Sequence, residues 1–432
     1  MTNSAQDHRV LNEHSPPASR GESDEMDSDS VRGVERRRLL EWGGLAAGVM
    51  AAGACLGAAP AAASEPSEQD RIPPDTRPGG AYDRYVAKLA AEDKFSGVVL
   101  LSHRGRTVLS RSYGMADKEK GIRNHEGVAF NLYGGPFVSL SIVQLAQRGK
   151  VKLWDTVGTY LTGFAKEIAE QVRIHHLLMG TSGLSFPAHD YKRIFHSQEE
   201  QHEYYQQYTR QAKLVATPGA GSEKPGWGAD VTVQIVEAVT GMTFWDYVRE
   251  HIFGRCGMAG SAYYTRPQWL ADEHIAHSYM KQADGSWVDA VRNLDKDSPS
   301  PGLAGQNNAR NFVPDGGFVT APDLIRFAEA LYDGTVLDPA WADVFTSVKA
   351  PNFRGSPGFS TYGPTAHIVE GQWELSRSGV HPGSSTHWSI YPEAGWVGVV
   401  LSNYDDIPLQ EITGQQTRAI TGASPGDGGG GG

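Results

Sequence analysis

Residues 95–114 read FSGVVLLSHRGRTVLSRSYG. Two apolar runs flank His103-Arg104-Gly105-Arg106, and a glycine among polar residues suits a tight turn, so the stretch predicts a pair of antiparallel strands. A stretch of the same kind closes the chain: THWSIYPEAGWVGVVLSN (386–403), with Pro392-Glu393-Ala394-Gly395 as its turn. Between and around them the apolar period changes. Tyr82, Tyr85, Val86 and Leu89 recur at helical spacing, and helical patterns run through VTVQIVEAVTGMTFWDYVREHIF (231–253) and APDLIRFAEALYDG (321–334). Strands at both ends with helices in the middle predict a sheet assembled from both termini around a helical insertion.

The chain has 432 residues, 39% of them hydrophobic and 21% charged, which is ordinary for a soluble globular protein and enough for one large composite domain or two. A formal charge of -11, with no Lys/Arg cluster outside the N-terminus, argues against nucleic acid as the main partner, because phosphate binding rests on a basic surface. Two cysteines, Cys55 and Cys256, support neither a disulfide framework nor a thiolate metal site, and no metal or cofactor is expected. Residues 1–63 have the order of a twin-arginine export leader: Arg36-Arg37-Arg38 precedes the Ala/Gly-rich run LAAGVMAAGACLGAAPAAA, with a small-residue cleavage point near Ala61 to Ala63. The expected location is therefore outside the cytoplasm or in the cell envelope. The membrane is a partner only during export, or through a lipid on Cys55. Residues 64–80 read as a polar Pro/Gly linker, 291–317 as a long irregular loop of the kind that edges a binding site, and 421–432 as a low-complexity disordered tail.

FSGVVLLSHRGRTVLSRSYGMADKEKGIRN, GKVKLWDTVGTYL, IHHLLMGTSGLSFP, IVEAVTGMTFWDYVREHIFGRCGMAGSAYY, PDGGFVTAPDLIRFAEAL and GWVGVVLSN, taken in this order, resemble the serine β-lactamase and penicillin-binding-protein superfamily, closest to its class C and esterase-like branch. The similarity runs from about Phe95 to Asn403. It implies an α/β plus all-α, β-lactamase-like fold: an antiparallel sheet from both chain ends (81–128 and 335–420) flanked by helices, a helical insertion domain (129–334), and a cleft where the two meet. It also implies acyl-enzyme chemistry. A Ser opens a buried helix with a Lys on the same face three residues later, a Tyr-x-Asn pair shuttles protons, and a Lys- or His-x-Gly strand holds the substrate carboxylate.

Residues 130–150, FNLYGGPFVSLSIVQLAQRGK, match the approach to that helix and its middle, but Tyr133-Gly134-Gly135-Pro136 stands where the Ser-x-x-Lys block is expected. Pro136 suits a first helical turn, and the two glycines leave backbone N–H groups at a helix start, which favours an anion. Lys224-Pro225-Gly226 occupies the Tyr-x-Asn position. Arg377-Ser378-Gly379 occupies the strand motif, with an arginine that forks onto carboxylates but does not shuttle protons near neutral pH.

Three altered slots predict a β-lactamase-related pseudoenzyme, or a repurposed protein that binds a small anionic molecule or performs non-covalent chemistry. The residues expected to line its cleft are Tyr133, Gly134, Gly135, Lys224, Trp227, Arg377, Ser378 and Gly379. Two other readings stand beside it. A residual serine esterase or amidase would use Ser139 or Ser141 with His381 or His387 as base. A non-cleaving binder of cell-wall peptides would hold them through Arg377. Ser278-Tyr279-Met280-Lys281 matches Ser-x-x-Lys as a string but falls where the family has a strand or loop, and His175-His176 read as solvated or core histidines.

Overall fold

The computed structural model of the chain describes residues 72–220, 228–310, 317–352 and 358–422. Both expected hairpins form. Strands β1 (Gly97–His103) and β2 (Arg106–Tyr113) turn at Arg104 and Gly105, whose φ values of 48° and 76° are what a two-residue hairpin turn requires. Six further strands are β3 (Ala350–Pro351), β4 (Phe359–Ser360), β5 (Thr365–Val369), β6 (Gln372–His381), β7 (Ser384–Tyr391) and β8 (Trp396–Ser402). They complete one antiparallel sheet in the order β3-β4-β5-β6-β7-β8-β1-β2. The last strand pairs with the first in full register, from Gly97 opposite Ser402 to His103 opposite Trp396, which joins the two chain ends.

The longer helices are α1 (Ala81–Ala91), α2 (Phe137–Gln147), α3 (Gln198–Thr209), α4 (Ala229–Thr240), α5 (Ala321–Tyr332) and α6 (Leu409–Thr421). Side chains alternate across a strand, so β1 feeds two cores. Val99 and Leu101 pack with Tyr82, Val86 and Leu89 of α1 and Ile412 and Ile420 of α6. Val98 and Leu100 face the larger core, with residues of α2, α4 and α5. That core also takes Trp388, Ile390, Val399 and Leu401 from β7 and β8, so sheet and helical segment share it, and all described residues belong to one compact unit.

Three boundaries differ from the sequence reading. Residues 72–80 are not free linker: Pro74–Thr76 form a 3-10 turn, Thr76 is buried, and Ile72 packs on the core under α1 and α6. One isolated apolar residue has no period to announce it. At the other end α6 runs through Thr421, and Gly422 closes it with φ 76°, so the start of the expected tail is a helix cap. The helical pattern over 231–253 is interrupted, because Gly241 at φ 71° ends α4 before a short helix at Phe244–Val248 that runs on into a π-helical turn at Arg249–Phe253. The export leader, Cys55 and the rest of the tail lie outside the described residues. Among those described, no helix is long and apolar enough to cross a membrane.

Helix α2 is the one that carries the site, and packing fixes it from its first residue. The Phe137 ring is fully buried and meets Phe253 and Phe327 edge-on at 5.0 and 5.7 Å. Phe137→Ala leaves a cavity there and is expected to cost about 3–5 kcal/mol, seen as a lower urea midpoint with an unchanged m-value.

Candidate functional site

The chain reaches α2 through a clamp. The short strand Phe130–Asn131 pairs with Phe318–Val319, and Leu132 N–H donates to Gly317 O at 2.9 Å. Ser384 Oγ donates to Asn131 O at 2.9 Å, and Tyr133 N–H donates to Thr386 Oγ1 at 3.3 Å, so β7 holds this segment from the side. Gly134 turns with φ 59°, a value open to glycine, and Pro136 becomes the N-cap, one position before the helical turn expected of it.

Tyr133 lies directly over the strand motif. A Cβ placed on Gly379 would sit 1.6 Å from Tyr133 Cδ1, so only glycine lets the ring rest there. The same ring meets His381 edge-on at 4.2 Å and is 44% exposed. Arg377, two residues before Gly379 and therefore on the same face of β6, brings Nη1 within 3.9 Å of the point where a Cβ of Gly134 would lie. The structure thus gathers Tyr133, Gly134, Gly379, Arg377 and His381 at the start of α2, with Gly135 next in the chain.

Other expected residues go elsewhere. Ser378 points from the opposite face of β6, where its Oγ lies 2.6 Å from His387 Nδ1, so its hydroxyl is not part of the Tyr133 cleft. Ser139 Oγ donates to Pro136 O and Ser141 Oγ to Phe137 O, the back-bonding that small polar residues make inside helices. Among the described hydrogen bonds, none joins either serine to a histidine. Ser278 is buried against Gly383, while Lys281 pairs with Asp406 at 3.2 Å, so the string between them is not a helical pair. His175 bonds to Tyr362 at 2.6 Å, and His176 Nδ1 accepts from Arg173 N–H. Lys224 and Trp227 lie outside the described residues.

Sequence reasoning missed three contributors. Asn308, on the long loop expected to edge the site, reaches His381 Nδ1 with Oδ1 at 2.8 Å. Asn307 and Arg310 on either side hold that loop by donating to backbone carbonyls of Ala290, Asn293, Leu294 and Lys296. The others are Thr386, which holds Tyr133, and Glu374, which neighbours His387 on the opposite face of β6, and neither stands in a motif. Cross-strand neighbours are set by register, which no local pattern announces.

Two further clusters need a chemical reading. Asp117, His277 and Asp289 have ligand geometry, but Arg292 fills the space between them: Nη2 meets Asp117 Oδ2 and Nη1 meets Asp289 Oδ2, both at 2.6 Å. A guanidinium already neutralises the two carboxylates there. A separate cleft of about 540 Å³ opens between α3 and α4, lined by His202, Gln206, Arg210, Glu237 and Met242 among others, with no serine in its wall.

A sheet of this order, with helices on both faces and a buried helix starting against the Arg377–Gly379 strand, defines a serine-hydrolase fold of the β-lactamase and penicillin-binding-protein class. The chain belongs to the beta-lactamase family, whose model matches residues 82–420. The putative penicillin-binding protein PbpX of Bacillus subtilis is 23% identical over 321 residues, 74% of this chain and 73% of that one. Penicillin-binding protein 4* of the same organism is 25% identical over 343 residues, 74% and 70% of the two chains. The solved penicillin-binding protein from Bacillus halodurans shares the fold with a TM-score of 0.62 at 23% identity, covering 76% of this chain and 97% of that one.

Burial sets the charge states around β6. It pushes His381 and His387 down to about 3, and Glu374 up to about 7 against a smaller opposing effect of a hydrogen bond with Ser376. The histidines bind a proton more weakly folded than unfolded, so their contribution to stability is present above about 6.5 and lost as pH falls toward 3. Glu374 binds its proton more tightly when folded, so its contribution is present below about 4.5 and lost as pH rises through 7. Urea midpoints measured from pH 3 to 9 are expected to fall on both sides, with His381→Gln flattening the acid limb and Glu374→Gln the neutral one.

Proposed function

We propose that this chain works in the cleft at the start of α2 without a covalent intermediate, holding a small carboxylate-bearing molecule. The observation that carries the reading is the pairing of Tyr133 with Arg377. In the position where the family resemblance implies a nucleophile, an aromatic ring lies over Gly379. Beside it Arg377 Nη1 lies 3.9 Å from the point where a Cβ of Gly134 would sit, three residues before the first residue of an 11-residue helix whose N-terminus carries positive potential. A planar fork beside the glycine turn that leads into the helix suits a carboxylate, and a phenol in the place of the expected serine makes a poor acyl acceptor near neutral pH. The relatives are named as penicillin-binding proteins, and penicillins and peptide C-termini both present a carboxylate, which supports that ligand class. Retention of the ligand without cleavage, or a reaction that needs only positioning, fits such a site. The leader-like pattern of Arg36-Arg37-Arg38 and the Ala/Gly-rich run after it supports a place outside the cytoplasm for this activity.

The esterase reading has less support, because the hydroxyl protons of Ser139 and Ser141 are already donated to helix carbonyls. Benzylpenicillin separates the two readings. Reversible binding by calorimetry with no mass adduct is expected, and Arg377→Ala should weaken it about 10–100-fold. A stoichiometric penicilloyl adduct, or unchanged binding in the variant, overturns the proposal.

A further inference from the structure

We propose that Ser378, His387 and Glu374 form a second site on the opposite face of the sheet, in which Ser378 accepts the acyl group of small activated carboxylic esters. The register of β6 and β7 creates it. Ser378 stands directly across from His387, and their side chains share the face that does not carry Tyr133, with Ser378 Oγ 2.6 Å from His387 Nδ1. His387 Nε2 lies 3.9 Å from Glu374 Oε1, four residues back along β6 on that same face.

Accessibility differs along this row in the order that acyl transfer needs. Ser378 is exposed, whereas His387 and Glu374 are 4% and 7% exposed, so the nucleophile meets solvent while the base and the carboxyl group are shielded. Burial keeps His387 unprotonated through the neutral range, so Nδ1 is open to accept, but as a weak base whose proton affinity rises when the neighbouring Glu374 ionises. With Nδ1 accepting, Nε2 carries the hydrogen and faces Glu374, which is the tautomer that lets a carboxylate stabilise the imidazolium. Between about pH 3 and 7 both groups are neutral, and ionisation of Glu374 above that range creates an attraction across the 3.9 Å separation. The titratable groups facing Glu374 are His367 across from it on β5, and His387 and Tyr391 on β7. Val380, the next residue on this face, is 36% exposed and offers an apolar contact for a short acyl chain.

The chemical step balances within these groups. Ser378 Oγ–H gives its proton to His387 Nδ1 as Oγ bonds to the ester carbonyl carbon, and the carbon–oxygen bond to the alcohol breaks as the alcohol takes the proton back. Water then cleaves the acyl-serine by the same route. An open strand face contributes little to holding a developing oxyanion, so good leaving groups define the substrate class.

The test is labelling of the full chain with an alkyl fluorophosphonate and with p-nitrophenyl butyrate, followed by intact mass and peptide mapping. One adduct on Ser378 is expected, absent in Ser378→Ala, which removes an exposed hydroxyl and its hydrogen bond to His387. His387→Gln should slow labelling at least 10-fold. In wild type the labelling rate should rise through about pH 7, and Glu374→Gln should abolish that rise while leaving the low-pH rate in place; if His387→Gln does not fold, this profile decides alone. Absence of a Ser378 adduct, or a rate indifferent to both Gln variants, overturns the proposal. An adduct within residues 133–141 would instead count against the non-covalent reading of the α2 cleft.

Discussion

Everything in this molecule hangs on β1, a strand buried along its whole length and hydrogen-bonded on both edges, to β2 from its own hairpin and to β8 from the far end of the chain. That contact closes a loop of about three hundred residues, which is entropically expensive and is offset by burying apolar surface on both faces at once. Gly97 shows how tight the junction is: its φ is 151°, and a Cβ there would fall 2.0 Å from Leu401 O. Because the sheet is complete only when both ends meet, the helical segment is folded against a surface that neither terminus makes alone.

The same sheet separates two chemistries by two residues. On β6, Leu375, Arg377, Gly379 and His381 face the helices and the start of α2, while Glu374, Ser376, Ser378 and Val380 face the other way. The family's strand motif is therefore divided between faces here, with Arg377 and Gly379 in the old cleft and the Ser378 hydroxyl turned to His387. Tyr133 settles the first face by lying on Gly379, which takes up the space above the strand and leaves the guanidinium of Arg377 at the helix start. Both faces hold histidines that burial keeps neutral, and which of them matters depends on the hydroxyl beside it: His381 meets a ring and an amide, His387 a serine.

Much of the fold was legible because it is written in local signals. The two hairpins announce themselves by apolar runs around turn residues, α1 and α5 by helical apolar spacing, and the ordered fragments between Phe95 and Asn403 carried the family resemblance. What escaped were features without local period, such as the docking of Ile72 and the split of residues 231–253 at Gly241. At the site, the unusual residues Tyr133, Gly134 and Arg377 stood out as departures from an expected motif. Asn308, Thr386 and Glu374 did not, since each matters only through a partner distant in the chain.

By itself the sequence determined a sheet built from both termini and a helical insertion, and it raised the expectation of altered residues at the three motif positions of acyl-enzyme chemistry. Those properties follow from side-chain period, turn chemistry and motif spacing, all of which are short-range. Only the tertiary structure decided that the Tyr133 ring rests on Gly379, that Arg377 and Ser378 part company across one strand, and that Ser378 finds His387. The physical reason is register: a strand's neighbours and the face each side chain takes are fixed by pairing with residues far along the chain, and a shift of one position would exchange the two faces.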